Sequence, residues 1–184
     1  MLKQFVDSNS YFNDKGMLGY IDQFYDPLFS PKKDTTLSLL EIGVAFGGSI
    51  RMWRDYFTNA VITGIDPFVD FPEEERTVFL KIDAYTQSTV DMFQDNSFDI
   101  VIDDGPHSFD SMVYFLQNYL PKVKSGGILI LEDIHTISWT PKLLNLIDPA
   151  VGKISVVDMR NKQTTEQLLG LWKNGLDVII VEKY

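Results

Sequence analysis

Short runs of aliphatic residues recur along this chain, and stretches whose apolar residues have helical spacing separate them. Five of the runs are almost continuously apolar, as are strands buried on both faces of a sheet. They span residues 37–42, 60–65, 78–82, 98–102 and 128–131, and two later runs span 154–157 and 178–181. The alternation predicts an α/β fold with a mostly parallel seven-stranded sheet and helices on both of its faces.

The segments between the runs carry helix signals. They span 49–57, 86–93, 108–120 and a stretch that begins near Pro141. Proline is well tolerated in the first turn of a helix, so Pro141 marks a helix start. The segment 164–175 is ambiguous, because Gly170 interrupts an otherwise helical pattern.

The length of 184 residues suits a single domain. Residues 37–184 contain all the strand-like runs and form the main part of it. Residues 1–36 are rich in Tyr, Phe, Asn and Asp, and they are predicted to form a lid or linker.

Composition excludes several functions. The 26 acidic and 16 basic residues give a formal net charge of −10, which disfavours nucleic acid and anionic membranes as partners. With no cysteine, the chain has no disulfide, no thiolate metal site and no cysteine nucleophile. No run approaches the roughly 20 apolar residues of a membrane helix, and the first residues lack a signal-peptide pattern. We therefore expect a cytoplasmic location.

A turn rich in small residues follows the first strand, and it leads directly into a helix. It runs from Glu41 through Gly43, Ala45 and Gly47 to Ser49. Small residues allow close approach of a ligand to the backbone, and free amides at a helix start favour carboxylates or phosphates. An ordinary strand-to-helix turn remains the alternative interpretation.

Acidic residues end the next two strands. Asp66 follows the second strand, where a carboxylate can accept hydrogen bonds from two ribose hydroxyls. Asp83 follows the third strand, at the carboxyl edge where open α/β sheets bind their ligands. Each acid taken singly is typical of a turn or cap.

A denser set of polar residues follows the fourth and fifth strands. Asp103, Asp104 and His107 follow the fourth strand, and Glu132 with Asp133 follows the fifth. If these strands are neighbours, Asp104, Glu132 and Asp133 converge on one point. Crowded carboxylates repel one another unless a cation joins them, and oxygen ligands favour Mg²⁺.

The chain has only two histidines, His107 and His135, and both lie at these strand ends. Histidine is the usual general base near neutral pH. We predict His107 as the base and leave a role for His135 open, since either histidine can instead pack in the crevice.

These motifs resemble those of class I S-adenosylmethionine-dependent methyltransferases. Residues 40–47 are similar to the first motif of that Rossmann-like fold, with Ala45 in place of the middle glycine. Residues 102–107 together with 126–136 resemble the macrolide-sugar O-methyltransferases and the related cephalosporin-hydroxylase-type proteins. The match extends through 48–57, and the whole resemblance covers about residues 20–183.

The resemblance implies roles for individual residues. Asp66 corresponds to the ribose-binding acid, Asp83 to the adenine-side acid and Asp103 to the start of the fourth motif. The cofactor, S-adenosylmethionine, is expected at Glu41, Gly43, Ala45, Gly47, Ser49, Asp66, Asp83 and Asp103. Mg²⁺ is expected on Asp104, Glu132 and Asp133, with His107 as the base.

The implied function is Mg²⁺-dependent O-methylation of a sugar or a glycosylated small molecule. Three alternatives remain open: a catechol or phenolic O-methyltransferase, a nicotinamide dehydrogenase, and a non-catalytic S-adenosylmethionine-binding module. The dehydrogenase alternative explains the glycine turn and Asp66, but it has no need of the carboxylate cluster. The expected partner is a small-molecule or sugar acceptor, and a homodimer is the commonest assembly.

Overall fold

The structure is a computed structural model, which describes residues 1–9, 11, 14–17, 19–72, 74–159 and 177–184. The strands are β1 (Ser38–Ile42), β2 (Val61–Ile65), β3 (Thr77–Leu80), β4 (Phe98–Asp103), β5 (Val123–Ile134), β6 (Gly152–Asp158) and β7 (Asp177–Lys183). They form a seven-stranded sheet in the order β3-β2-β1-β4-β5-β7-β6. β7 runs antiparallel to both of its neighbours, and the pairs among β1 to β5 are parallel. The predicted fold class is confirmed.

Seven short α-helices accompany the sheet in the described part of the chain. They are α1 (Leu2–Ser8), α2 (Asp14–Met17), α3 (Asp26–Phe29), α4 (Gly48–Tyr56), α5 (Gln87–Val90), α6 (Phe109–Tyr119) and α7 (Thr140–Leu144). A π-helical turn, Ile21–Tyr25, precedes α3, and 3₁₀ turns follow α3 and α6. Ser108 caps α6, where its side chain accepts a hydrogen bond from the Ser111 backbone N–H.

The parallel register brings the carboxyl ends of the central strands to one edge of the sheet. Ile42 pairs with Ile65 on one side and with Asp103 on the other, and Asp103 pairs with Leu131. The residues that follow β1, β2, β4 and the paired part of β5 therefore meet at that edge, as predicted for an open α/β sheet.

Some predicted boundaries were wrong. The fifth strand begins at Val123 rather than at residue 128, because Val123 pairs with Phe98 and a register shift then admits extra residues. The helix predicted over 86–93 is a single turn, α5, and the chain then turns through Asn96 with a φ of +55°.

Two apolar layers cover the two faces of the sheet. The first contains Trp53 and Phe57 beside the aromatic residues before β1, and the second contains Met112 and Phe115 of α6. Both layers consist of side chains that are almost entirely buried, so the sheet is covered on both sides.

The N-terminal segment contributes to the first of these layers. Its buried aliphatic and aromatic side chains are Leu2, Tyr20, Ile21, Phe24, Tyr25 and Phe29. The segment is also tied to itself, since the Leu2 N–H donates to Asp26 Oδ1 at 2.6 Å. The residues predicted as a lid or linker therefore pack on the sheet beside the acidic strand ends. The ambiguous segment 164–175 lies outside the described residues.

No helix in the described part of the chain is both long and apolar enough to cross a bilayer.

Candidate active site

The turn after β1 approaches the loop after β4 closely. Gly43 has a φ of +89°, and its N–H donates to the Ile65 carbonyl at 2.9 Å. A Cβ at this position would overlap the backbone carbonyl of Asp104. Glycine is thus required both by the left-handed backbone and by the lack of space.

Asp66 holds this turn from the end of β2. One carboxylate oxygen accepts from the N–H groups of Val44 at 3.1 Å and Ala45 at 3.2 Å, and the other accepts from those of Phe68 and Val69. Burial by itself raises the pKa of Asp66, but these four backbone donors outweigh burial and hold the pKa below its usual range. Asp66 is therefore an ionised group of fixed position.

A cavity of about 980 Å³ lies above this edge of the sheet. The predicted site residues that line it are Gly43, Ala45, Ser49, Asp66, Asp83, Asp104 and His107. The predicted residues outside its lining are Glu41, Gly47, Asp103, Glu132 and Asp133. Exposed aromatic side chains, Phe46 and Phe68, lie at its wall. The cavity joins the glycine turn to the loop that carries His107.

Asp103 lies below the cavity rather than in its wall. One of its oxygens accepts from the Tyr85 hydroxyl at 2.5 Å and from the Gly105 N–H at 3.2 Å. Burial raises the pKa of Asp103 to about 7. These hydrogen bonds fix the loop 103–107. In this structure Asp103 is therefore bonded to protein groups and does not line the cavity.

Asp104, His107 and Asp133 form a cluster beside the cavity, whose lining includes Asp104 and His107. His107 Nε2 lies 3.7 Å from Asp104 Oδ1 and 3.7 Å from Asp133 Oδ2. Each of the three residues offers one ligand atom, and these atoms lie within 4.8 Å of one another. Two carboxylate oxygens and an imidazole nitrogen at this spacing are a donor set that can hold a divalent cation.

The backbone is unusual at this cluster and at the glycine turn. Ala45, His107 and Asp133 have φ values of +45°, +53° and +56°, in the left-handed region that residues with a side chain rarely adopt. Such conformations persist only where surrounding contacts enforce them, and they concentrate at functional sites. At Asp133 the positive φ coincides with a register shift between Leu131 and Ile134 in the pairing of β5 with β7.

Glu132, the third predicted metal ligand, is held by the N-terminal segment. Its Oε1 accepts from the Tyr25 hydroxyl at 2.6 Å, and its Oε2 lies 2.5 Å from Lys15 Nζ. The Tyr20 hydroxyl donates to Asp133 Oδ1. The two adjacent acids of β5 therefore each have one oxygen bound by a tyrosine of the same segment.

Glu41 is completely buried beneath the glycine turn. Its Oε2 accepts from Trp53 Nε1 at 3.0 Å, and its Oε1 lies 3.3 Å from Lys15 Nζ. Burial raises its pKa to about 7, although the neighbouring Lys15 opposes the rise. In this structure Glu41 supports the turn from inside the protein.

Sequence reasoning missed Lys15, which is 1% exposed and lies among three carboxylates. Burial alone would lower its pKa, but Asp104 and Glu132 outweigh burial and hold the pKa well above its ordinary value. No motif distinguishes Lys15 in the sequence. The one available signal was the excess of acidic residues at these strand ends, because a cation is needed to offset their mutual repulsion.

His135 lies against His107, with ring centroids 5.2 Å apart at 78°. Burial, followed by the charge of His107, lowers the pKa of His135 to about 4. His135 is therefore neutral near pH 7 and shapes the surroundings of His107.

A family model described as a methyltransferase domain matches residues 40–134, which is more than half of the chain. The chain belongs to this family. Its sheet order and antiparallel β7 are those of class I S-adenosylmethionine-dependent methyltransferases, so the class predicted from the motifs is confirmed.

Two curated relatives are named as O-methyltransferases of natural products. The mycinamicin VI 2''-O-methyltransferase of Micromonospora griseorubida is 32% identical over 183 residues, covering 94% of this chain and 43% of that enzyme. The 8-demethyl-8-alpha-L-rhamnosyl tetracenomycin-C 2'-O-methyltransferase of Streptomyces olivaceus is 31% identical over 125 residues, covering 62% of this chain and 33% of that enzyme. The chain thus spans less than half the length of these relatives.

Among solved structures, the MycE methyltransferase of the mycinamycin pathway, in complex with Mg and SAH, is similar with a TM-score of 0.68 at 27% identity. The similarity covers 99% of this chain and 54% of MycE. A fibrillarin–Nop5p complex, with a TM-score of 0.59 at 12% identity, shares the fold alone.

Proposed function

We propose that this protein is an S-adenosylmethionine-dependent O-methyltransferase that acts on a hydroxyl group of a sugar in a glycosylated small molecule. The observation that carries the proposal is the cluster of Asp104, His107 and Asp133 beside a cavity that is lined by Asp104, His107 and the glycine turn. The sugar O-methyltransferases that the chain resembles support the acceptor class.

The cofactor is assigned to the cavity wall formed by β1, β2 and the segment after β3. When bound, S-adenosylmethionine supplies a methyl group on a sulfonium, which already carries its leaving group. Gly43, Ala45 and Ser49, which line the cavity, are assigned to its contact surface. Asp66 is assigned to the ribose and the exposed Asp83 to the adenine side. Glu41, Gly47 and Asp103 shape this wall from behind.

A divalent cation, Mg²⁺ in the first instance, is assigned to the acidic cluster. The donor chemistry fits, because Asp104 and Asp133 each turn a carboxylate oxygen toward His107. Glu132, the third expected ligand, has its two oxygens bound by Tyr25 and Lys15 in this structure. When bound, the ion would lower the pKa of a coordinated hydroxyl and fix its position. MycE, solved with Mg, is the related protein that supports this assignment.

His107 is assigned as the general base. Its Nε2 takes the proton of the acceptor hydroxyl, and the nearby Asp104 and Asp133 carboxylates stabilise the imidazolium that results. The hydroxyl oxygen then forms a bond to the methyl carbon as the carbon–sulfur bond breaks. The products are the methyl ether, a neutral thioether and a proton on His107.

Calorimetric titration of the metal-stripped protein tests the cofactor assignment. We expect S-adenosylmethionine and S-adenosylhomocysteine to bind, NAD not to bind, and Asp66→Ala to abolish binding of both sulfur compounds. Binding of NAD alone would overturn the proposal in favour of a dehydrogenase.

A pair of histidine variants separates the base from a metal ligand. As a base, His107→Asn loses about 100-fold or more in turnover while it keeps S-adenosylhomocysteine and Mn²⁺ binding. Loss of Mn²⁺ binding in the same variant would make His107 a ligand instead. His135→Asn is the matched control, and we expect it to retain Mn²⁺ binding.

The acceptor class is tested by methyl transfer to rhamnosides and to catechol under identical conditions. Turnover of a glycoside supports the proposal. Turnover of catechol alone favours the phenolic alternative, and cofactor binding without turnover of any acceptor favours a binding module.

A further inference from the structure

Lys15 occupies the inner side of the acidic cluster. Its Nζ lies 2.8 Å from Asp104 Oδ2, 2.5 Å from Glu132 Oε2 and 3.3 Å from Glu41 Oε1. An ammonium group has three N–H donors, and here three carboxylates from three different strand ends surround it. The ammonium group donates hydrogen bonds to Asp104 and Glu132, its longer contact with Glu41 is an ion pair, and it is withdrawn from water.

His107 lies on the outer side of the same cluster. It faces Asp104 Oδ1 and Asp133 Oδ2, which are not the oxygens that Lys15 contacts. Asp104 offers one oxygen to each side, and the two sides share no oxygen atom. A cation on the outer side therefore does not require the oxygens that Lys15 uses.

Glu41 gives a reason for Lys15 to stay in place. Glu41 is 0% exposed and does not belong to the group of Asp104, His107 and Asp133 that can hold a metal ion. Within the described part of the chain, Lys15 supplies the ion pair to Glu41. If Lys15 left the cluster, Glu41 would lose its buried cation and would have to take up a proton or stay as an unpaired buried charge.

We propose that Lys15 is a resident cation of this site, which stays bound to Glu41, Glu132 and Asp104 when a divalent ion binds on the outer side. This inference rests on the proposed metal-dependent function. Lys15 is a positioning residue: it neutralises the inner acids and leaves a single place for a divalent ion at Asp104 and Asp133. Through Lys15, α2 becomes a part of the catalytic centre although it lies far away in sequence.

The inference predicts that the Lys15 amine stays protected with and without metal. Wild-type protein is treated with an amine-acylating reagent at rising Mn²⁺ concentration, and the labelled lysines are located by mass spectrometry. Lys3, which is exposed and paired only with acids at the surface, is the internal control and labels throughout. Labelling of Lys15 that rises in step with Mn²⁺ binding would show that the ion displaces it, and would overturn the inference.

Stoichiometry and charge balance provide a second test. Electron paramagnetic resonance should count one Mn²⁺ per wild-type chain. Lys15→Met should lower the melting midpoint by about 5 °C or more, and Glu41→Gln added to it should restore part of that loss, since the unpaired charge is then gone. Lys3→Met is the matched control and should leave the midpoint nearly unchanged.

The opposite results are equally clear. If Lys15→Met raises the midpoint and binds Mn²⁺ at least tenfold more tightly, Lys15 is a plug that competes with the ion. If Lys15→Met does not fold, the labelling of wild-type protein decides. Absence of Mn²⁺ binding in the wild-type protein refutes the inference. Absence of S-adenosylhomocysteine binding refutes the proposed function separately, since the labelling, Mn²⁺-binding and melting measurements do not require that ligand.

Discussion

Gly43 lies directly against the backbone carbonyl of Asp104, so the turn that faces the cofactor cavity and the loop that carries the acidic cluster are in contact without any side chain between them. The Asp104 N–H also donates to the Ile42 carbonyl at 2.9 Å. Methyl transfer requires the donor carbon and the acceptor oxygen to be held at a short distance. This backbone contact sets the separation of the two halves of the site.

Gly43→Ala should therefore disturb both halves together. The left-handed φ alone costs roughly 1–2 kcal/mol for a residue with a Cβ, and overlap with the Asp104 carbonyl adds about 1–3 kcal/mol of overpacking. Urea unfolding measures the stability loss, and titration with S-adenosylhomocysteine measures the loss of binding.

Gly126→Ala is the matched control for this substitution. Gly126 has a φ of +77°, but a Cβ there meets nothing within 4 Å. It should show the backbone cost alone and normal ligand binding. Equal losses in the two variants would contradict the role of the Gly43–Asp104 contact.

Asp66→Asn should weaken the turn although it is nearly isosteric. One oxygen becomes an NH₂ group that faces two backbone N–H donors, so two buried donors lose their acceptor, at a cost of about 2 kcal/mol. We expect at least tenfold weaker S-adenosylhomocysteine binding by calorimetry. Asp70→Asn, at an exposed carboxylate paired with Lys81, should change neither quantity.

Part of the folding stability should depend on pH through the ionisation of Asp99. Although burial raises its pKa, hydrogen bonds from Lys124 at 2.8 Å and from the Ser38 N–H at 2.8 Å outweigh burial and hold the pKa below its usual value. The stability that these bonds contribute is present above the unfolded pKa of about 3.9 and is lost as the pH falls through the lower folded pKa.

Asp99→Asn should therefore be less stable than wild type by about 1 kcal/mol at pH 7, and the difference should vanish at strongly acidic pH. Urea denaturation from pH 7 down to pH 2 measures it. Asp95→Asn, at an exposed acid that pairs with Lys122, serves as the control. A difference that stays constant over this range would show that ionisation of Asp99 does not contribute.

Tyr85→Phe should loosen the loop 103–107. It removes the hydroxyl that donates to Asp103 and leaves a buried acceptor with one donor fewer, at a cost of about 1 kcal/mol or more. Tyr114→Phe is the control, because Tyr114 lines the same cavity but its hydroxyl has no hydrogen-bond partner in the described structure. Turnover and thermal melting of the two variants should differ, with the larger loss in Tyr85→Phe.

The sheet and much of the site could be predicted because both follow from local pattern and chirality. Parallel strands buried on both faces have continuous apolar runs, and their carboxyl ends meet at one edge, so Asp104 and Asp133 had to lie near each other. The left-handed backbone at His107, which turns its side chain toward these acids, has no sequence signature.

The N-terminal contribution could not be predicted, because long-range contacts leave no periodic trace. Lys15 and Glu132 are 117 positions apart, and Tyr20 and Asp133 are 113 apart. For Glu41 the motif could be recognised from the sequence, but the contacts of its side chain could not be predicted. Its place in the first motif indicates cofactor binding, but Lys15 and Trp53 enclose its side chain below the turn.

The π-helical turn Ile21–Tyr25 determines how the tyrosines reach the acids. In an α-helix, residues five positions apart project about 140° from each other, whereas the wider π turn returns nearly to the same side after five residues. Tyr20 and Tyr25 can therefore both reach Asp133 and Glu132. Loss or gain of a single residue in this turn would rotate one tyrosine away from its acid. In this segment the number of residues is therefore constrained as well as their identities.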